Sequence, residues 1–145
     1  MLFKRLNRTD AERVFVVMQA NASGIAADDV VQLELAAASV DGVKVIQPAS
    51  ANLLATVGVA DAAIASGAYG LVQVYGYRST SRIGPTDSTQ SSLGQALVPV
   101  AGQDYFSTLT SVTGANAFPI AILLESLTTG TSSNTVSKKI FLRCM

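Results

Sequence analysis

With no histidine anywhere in its 145 residues, the chain lacks the commonest general base and the commonest transition-metal ligand. Any chemistry must come from carboxylates, lysines, hydroxyls or the single thiol of Cys144. A serine nucleophile would then need a lysine or an amino terminus as its base, and no Ser-x-x-Lys spacing occurs in the apolar body of the sequence. Asp28 and Asp29 are adjacent. On an extended segment they point to opposite sides, so they do not form a paired acid and base and are read as solvating a loop. Asp61, Asp87 and Asp104 are scattered without a calcium-loop spacing and are read as turn caps. Gly67-Ala68-Tyr69-Gly70 is no phosphate loop, because no Lys-Ser or Lys-Thr follows it. Cys144 has no partner for an internal disulfide and is read as an incidental reduced thiol. The expectation is a chain that is not an enzyme and holds no metal or cofactor.

Composition narrows the partners. Charged residues make up 14% of the chain, against about 25% in an average soluble domain, and the formal net charge is +0. A nucleic-acid binder needs a basic face to neutralise phosphates, so no nucleic-acid partner is expected. The longest apolar run, Ala117 to Leu124, contains Pro119 and is far short of the ~20 residues of a spanning helix, so no membrane partner is expected either. Lys4, Arg5 and Arg8 are followed by Asp10, Glu12 and Arg13 before an apolar stretch develops, so no export signal is read.

The elements that must carry any function are strands. Residues 1–12 cluster charge without periodicity and are read as an N-terminal arm; 13–145 are read as one β-sandwich domain. Val14-Phe15-Val16-Val17-Met18 is apolar on both parities and is expected to be covered on both faces. Val30 to Leu35 should place Val31, Leu33 and Leu35 inward and Gln32 and Glu34 in water. Val43–Gln47, Leu53–Val59 and Gly70–Tyr77 supply three more strands, with a turn rather than a helix at Ala60 to Ala65. Ser79 to Ser92 reads as a long polar excursion. Ala96–Val100, Tyr105–Leu109, Phe118–Leu124 and Val136–Arg143 complete the set. The fold class is all-β, a single jelly-roll-like sandwich or a barrel of about eight strands, and the pattern leaves both open.

Two contact surfaces stand out. In Gly70 to Tyr77 strict alternation puts Tyr69, Leu71, Gln73, Tyr75 and Tyr77 on one face and Val72, Val74 and Gly76 on the other. The valine face belongs to a core. The tyrosine face either covers a second sheet or meets a partner, with Arg78 and Arg82 positioned to reach acceptors on a neighbouring chain. In the arm, Leu2, Phe3 and Leu6 interleave with Lys4, Arg5 and Arg8, a combination suited to inserting apolar anchors beside carboxylates.

The segment Val57-Gly58-Val59-Ala60-Asp61 followed by Ile64-Ala65-Ser66-Gly67-Ala68-Tyr69-Gly70-Leu71-Val72-Gln73-Val74-Tyr75-Gly76-Tyr77 resembles the capsid decoration, or cement, proteins of tailed bacteriophages. The resemblance covers mainly Ala51 to Ile83, with support from Leu97-Val98-Pro99-Val100, Tyr105-Phe106 and Lys139-Ile140-Phe141-Leu142-Arg143. It implies a β-rich protein made in the host cytoplasm and carried on the capsid exterior. The implied partners are the major capsid protein and the chain itself, as a homotrimer. Partner-binding residues expected on this reading are Phe3, Lys4, Arg5, Arg8, Tyr75, Tyr77, Arg78 and Arg82. A carbohydrate-binding or receptor-binding β-sandwich module of a phage particle is the alternative. A cupin-like enzyme ranks third, because its usual metal site needs histidine.

Overall fold

The computed structural model describes residues 12–36, 41–49, 52–84, 92–109, 118–127 and 135–144. The first strands are β1 (Arg13–Ala20), β2 (Val30–Leu33), β3 (Lys44–Ile46), β4 (Thr56–Ala60) and β5 (Tyr69–Arg78). The chain continues through β6 (Arg82–Ile83), β7 (Ala96–Pro99), β8 (Phe106–Thr108), β9 (Ala121–Leu123), β10 (Val136–Ser137) and β11 (Ile140–Arg143). Leu53–Ala55 forms a 3₁₀ turn, and no helix among the described residues is long and apolar enough to cross a membrane. The fold is all-β.

Five strands close into a barrel in the order β1-β3-β2-β4-β5 and back to β1. The β1–β3 pair is parallel and the other contacts of the ring are antiparallel. Closure pairs the strands of the ring on both sides, which removes free edges open to pairing with other chains. The ten-residue β5 organises the rest. Near its start it sits between β4 and β1; its last four residues, Tyr75 to Arg78, pair with β11. From β11 the ladder continues β9-β7-β8-β6-β10.

β6 prolongs β5, and β10 leads into β11. Ser81 and Lys138 exchange two backbone hydrogen bonds of 3.0 Å, joining the β5–β11 and β6–β10 ladders into one kinked antiparallel pair. Ser79 and Thr80 face only Lys139 at the kink, so the extra residue acts as a bulge that bends the pair. Through β6–β8 and β6–β10 the second set of strands also returns on itself.

Two cores result. Met18, Ala20, Val31, Val45, Ala60, Val72 and Val74 fill the barrel, with Ile25 and Ile64 packed against them. Val30, Val59, Ile83, Leu97, Phe106, Leu123, Ile140 and Leu142 form the other. Adjacent residues of one strand, Val30 and Val31 on β2 or Val59 and Ala60 on β4, serve opposite cores. Because side chains alternate, these two strands are buried on both faces and lie between the cores. Cys144 touches both.

Several expectations need correction. Among the described residues there are eleven strands, against about eight expected: Arg82–Ile83 forms β6 inside the stretch read as a polar excursion, and Val136–Arg143 breaks into β10 and β11. Gln32 is buried and Leu35 exposed, against the expected pattern: β2 lies between the two cores, so both of its faces are covered, and Leu35 lies beyond its end at Leu33. β1 is not covered on both faces: Val17 is 61% exposed. The turn expected at Ala60 to Ala65 is present, pinned by the Ile25–Ile64 bridge, and Gly67 adopts φ 72° in the turn before β5.

Candidate functional site

Pairing of β1 with β5 sets which side chains face outward. Phe15 opposes Gln73, Val17 opposes Leu71 and Gln19 opposes Tyr69, all on the outside of the barrel, while Met18 and Val16 point inward. Closer to the Arg13 end the register shifts by one, so that Val14 opposes Tyr75 and Val74 is left without an opposite residue. This bulge reverses the alternation along β5. Tyr75 packs toward the barrel core beside Val14, whereas Tyr69 and Leu71 face out. The expected shared face of Tyr69, Leu71, Gln73, Tyr75 and Tyr77 is therefore split in two. Sequence alternation could not show this, because a bulge inserts a residue without changing the residue types around it.

Tyr75 and Tyr77 are half-buried, and their face continues onto β11, where they oppose Arg143 and Phe141. The Tyr75 and Phe141 rings meet edge to face with centroids 5.3 Å apart, a geometry favoured by their quadrupoles. The tyrosines thus close one flank of the barrel through an aromatic contact. Phe3, Lys4, Arg5 and Arg8 lie outside the described residues.

Arg78 and Arg82 are drawn into a network within the chain rather than left to reach a neighbour. Arg78 is 5% exposed. Its Nη2 donates to Asp28 Oδ1 at 2.6 Å and to the Ala60 carbonyl at 2.9 Å, and its Nη1 donates to Asp61 Oδ1 and Gln73 Oε1, both at 3.2 Å. Arg82 Nη1 donates to Asp29 Oδ1 at 2.8 Å and to Asp104 Oδ2. The Thr80 hydroxyl donates to Asp28 at 3.1 Å. Asp28 itself sits at φ 66°, held by its own amide donating to the Ala60 carbonyl.

The four carboxylates come from the turn before β2, the end of β4 and the loop before β8, so two arginines on consecutive strands tie the barrel to the second core. Asp28, Asp29, Asp61 and Asp104 do more than cap turns and solvate loops. Their pairing was invisible in the sequence because each arginine is separated from its carboxylates by 17 to 53 positions. A cleft of about 400 Å³ beside Asn21, Ser23 and Gln47 has Asp29 and Asp104 in its wall, with both carboxylates bound by Arg82. Among the described residues, no group of three or more His, Cys, Asp or Glu side chains is placed to hold a metal ion.

Removal from water at the junction of the two cores pushes the Cys144 thiol up to about 12, because burial penalises the thiolate. A partly buried thiol held in its protonated form is a poor nucleophile. Native protein should react with Ellman's reagent far more slowly than unfolded protein, and equal rates would place Cys144 at the surface. The linked effect has a definite sign. The unfolded thiol ionises from about pH 8.5 upward while the folded one stays protonated, so stability falls as pH rises between there and about 12. Cys144→Ala should flatten that part of the stability profile.

Among the described residues, the outer face of β1 and β5 is open to a partner. Val17, Tyr69 and Leu71 are 61%, 63% and 47% exposed, with Phe15 half-buried beside them. The other strongly exposed apolar residues, Leu35, Leu54, Leu93, Leu109, Phe118 and Val136, all lie close to segments outside the described residues. Val17, Tyr69 and Leu71 instead sit within paired strands. The signal for Val17 was present in the sequence as a strand apolar on both parities, but that pattern does not distinguish a face covered within the chain from one left open. No protein-family model matches this chain, and no curated protein matches it at a significant level.

Proposed function

We propose that the chain is a structural virion protein that binds the outer surface of a tailed-phage capsid and ties neighbouring major capsid subunits together. The observation that carries this reading is the outward apolar face of β1 and β5 on a closed barrel. A pre-formed surface of this kind loses little conformational entropy on docking, and aromatic and aliphatic side chains supply most of the energy at protein interfaces. The segment that resembles decoration proteins coincides with β4, β5 and β6, where the two cores meet. Attachment at several capsid subunits, with other copies of the chain around a three-fold as the resemblance implies, would make loss of the whole slow even where each contact is weak.

The test uses expanded heads lacking this protein. Added protein should co-sediment with them and raise their resistance to heat, and a variant lacking Met1 to Arg8 should bind more weakly at unchanged thermal stability. Heads that neither bind the protein nor gain resistance would reject the function. The carbohydrate-binding alternative rests on Tyr69, whose exposed ring lies beside Gln19, a pairing suited to stacking on a sugar. Glycan-array binding that is lost in Tyr69→Ala would favour it.

A further inference from the structure

β1 and β3 run parallel and β2 runs against them, so the Ala20 end of β1, the Ile46 end of β3 and the Val30 start of β2 lie at one end of the barrel. From Asn21 the chain leaves β1, bridges to Ile64 at Ile25 and returns to β2. Between this crossing, the end of β3 and Asp104 lies the cleft of about 400 Å³. Its size falls within the roughly 300–1,000 Å³ of small-molecule sites, which favour the mouths of barrels. Backbone hydrogen bonds tie its walls together. The Asn21 amide donates to the Val45 carbonyl at 3.1 Å, the Val30 amide to the Asp104 carbonyl at 3.0 Å and the Gly102 amide to the Pro48 carbonyl at 2.7 Å. A site held in this way is formed in advance and loses little entropy on binding.

The lining carries hydrogen-bonding groups that the chain does not use. Among the described residues, the side chains of Asn21, Ser23 and Gln47 make no hydrogen bond, and neither does Asp104 Oδ1, whose twin oxygen accepts from Arg82. Asp29 is engaged at both oxygens, by Arg82 and by the Ala26 amide. The unused set comprises two amides that donate and accept side by side, a hydroxyl that does either, and a carboxylate oxygen that only accepts. Ile25, Val30, Val45 and Ile46 make the apolar part of the lining.

We propose that this cleft binds a neutral saccharide of one or two sugar units. Neighbouring sugar hydroxyls donate and accept in turn, as this set requires, while the C–H face of the ring covers isoleucine and valine. Asp29 and Asp104 share the guanidinium of Arg82, so negative charge is in excess and an anionic ligand is repelled. A wholly apolar ligand would strip water from the polar groups and return no hydrogen bond. A small cation would leave the amide donors and the apolar lining unused. Ser23 to Ile25 and Asp29 also border an open groove along Ala63 to Ala65, which gives a longer glycan a way out. The cleft does not include Tyr69 and is independent of the capsid reading.

Titration of isotope-labelled full chain with glucose, galactose, mannose, N-acetylglucosamine, maltose and lactose, followed by amide chemical shifts, tests this. At least one sugar should give saturable shifts centred on Ser23 to Ile25, Val45 to Gln47 and Asp104. The double variant Asn21→Ala, Gln47→Ala should bind it at least about tenfold more weakly, the effect of losing two hydrogen bonds. Neither side chain is bonded within the described residues, so the fold should persist, checked by the remaining amide shifts. Tyr69→Ala should bind as the parent does. The proposal is overturned if no sugar gives saturable shifts, if the double variant binds as tightly as the parent, or if methylammonium chloride saturates the cleft where the sugars do not.

Discussion

Replacing Arg78 with alanine is expected to destabilise the protein by about 3–5 kcal/mol, the usual cost of deleting one partner from a buried ion pair. The side chain is 5% exposed and donates to four acceptors, three of them on two other parts of the chain and one on its own strand. Its removal leaves Asp28 and the Ala60 carbonyl without their guanidinium, in a place where water cannot fully replace it. Asp28 is the sharper problem, because it also holds a left-handed backbone conformation beside Ala60. Arg78→Lys should recover only part of the loss: an ammonium keeps the charge but has three donors and no planar fork to reach acceptors on both sides. Chemical denaturation reports both effects as a shift in midpoint. Loss of less than about 1 kcal/mol in Arg78→Ala would show that the network is merely a solvated surface cluster. Arg82, about one third exposed, should cost less to remove.

That contrast between Arg78 and Arg82 also marks what the sequence could and could not convey. Strand positions were legible wherever β-branched residues run between turn residues, as in β1, β5 and β9, because local patterning and the sheet environment favour the same choice. The barrel lining of Val72 and Val74 was legible for the same reason. Features created by long-range pairing were not. Gln32, Gln73 and Arg78 look like solvent-facing residues in any local window, yet all three are buried. Each finds partners remote in sequence or on the bent backbone, although Gln32 Nε2 and Arg78 Nε have none: Gln32 accepts from the Ala49 amide, and Gln73 donates to the carbonyls of Tyr75 and Tyr77 while accepting from Arg78. The candidate site divides along the same line. Tyr69 and Leu71 were visible as surface-forming residues; their separation from Tyr75 and Tyr77 depends on the bulge at Val74, which only the register reveals.

The bulge yields the second large effect. Gly76 has φ 97°, well outside the range open to residues with a Cβ, and a Cβ built there would lie 1.8 Å from the Glu12 carbonyl oxygen. Gly76→Ala therefore meets backbone strain and a clash with backbone atoms, which cannot swing aside as a flexible side chain could. Taking about 1–3 kcal/mol for each, the expected loss is about 3–5 kcal/mol. For a chain of this size that corresponds to a fall in melting temperature of roughly 10 °C or more.

Two other glycines separate the causes. Gly102→Ala faces a positive φ of 69° with open space around the added carbon, so it reports strain alone and should cost about 1 kcal/mol. Gly58→Ala has no positive φ but would place its Cβ 2.0 Å from the Gln73 carbonyl oxygen, reporting the clash where β4 crosses β5. The expected order of loss is Gly76 and Gly58 well ahead of Gly102. If Gly76→Ala were no worse than Gly102→Ala, the chain at Glu12 would have to move away from β5 at little cost. The bulge would then no longer be fixed by that close approach, and the separation of the Tyr69–Leu71 face from Tyr75 and Tyr77 would lose its structural cause.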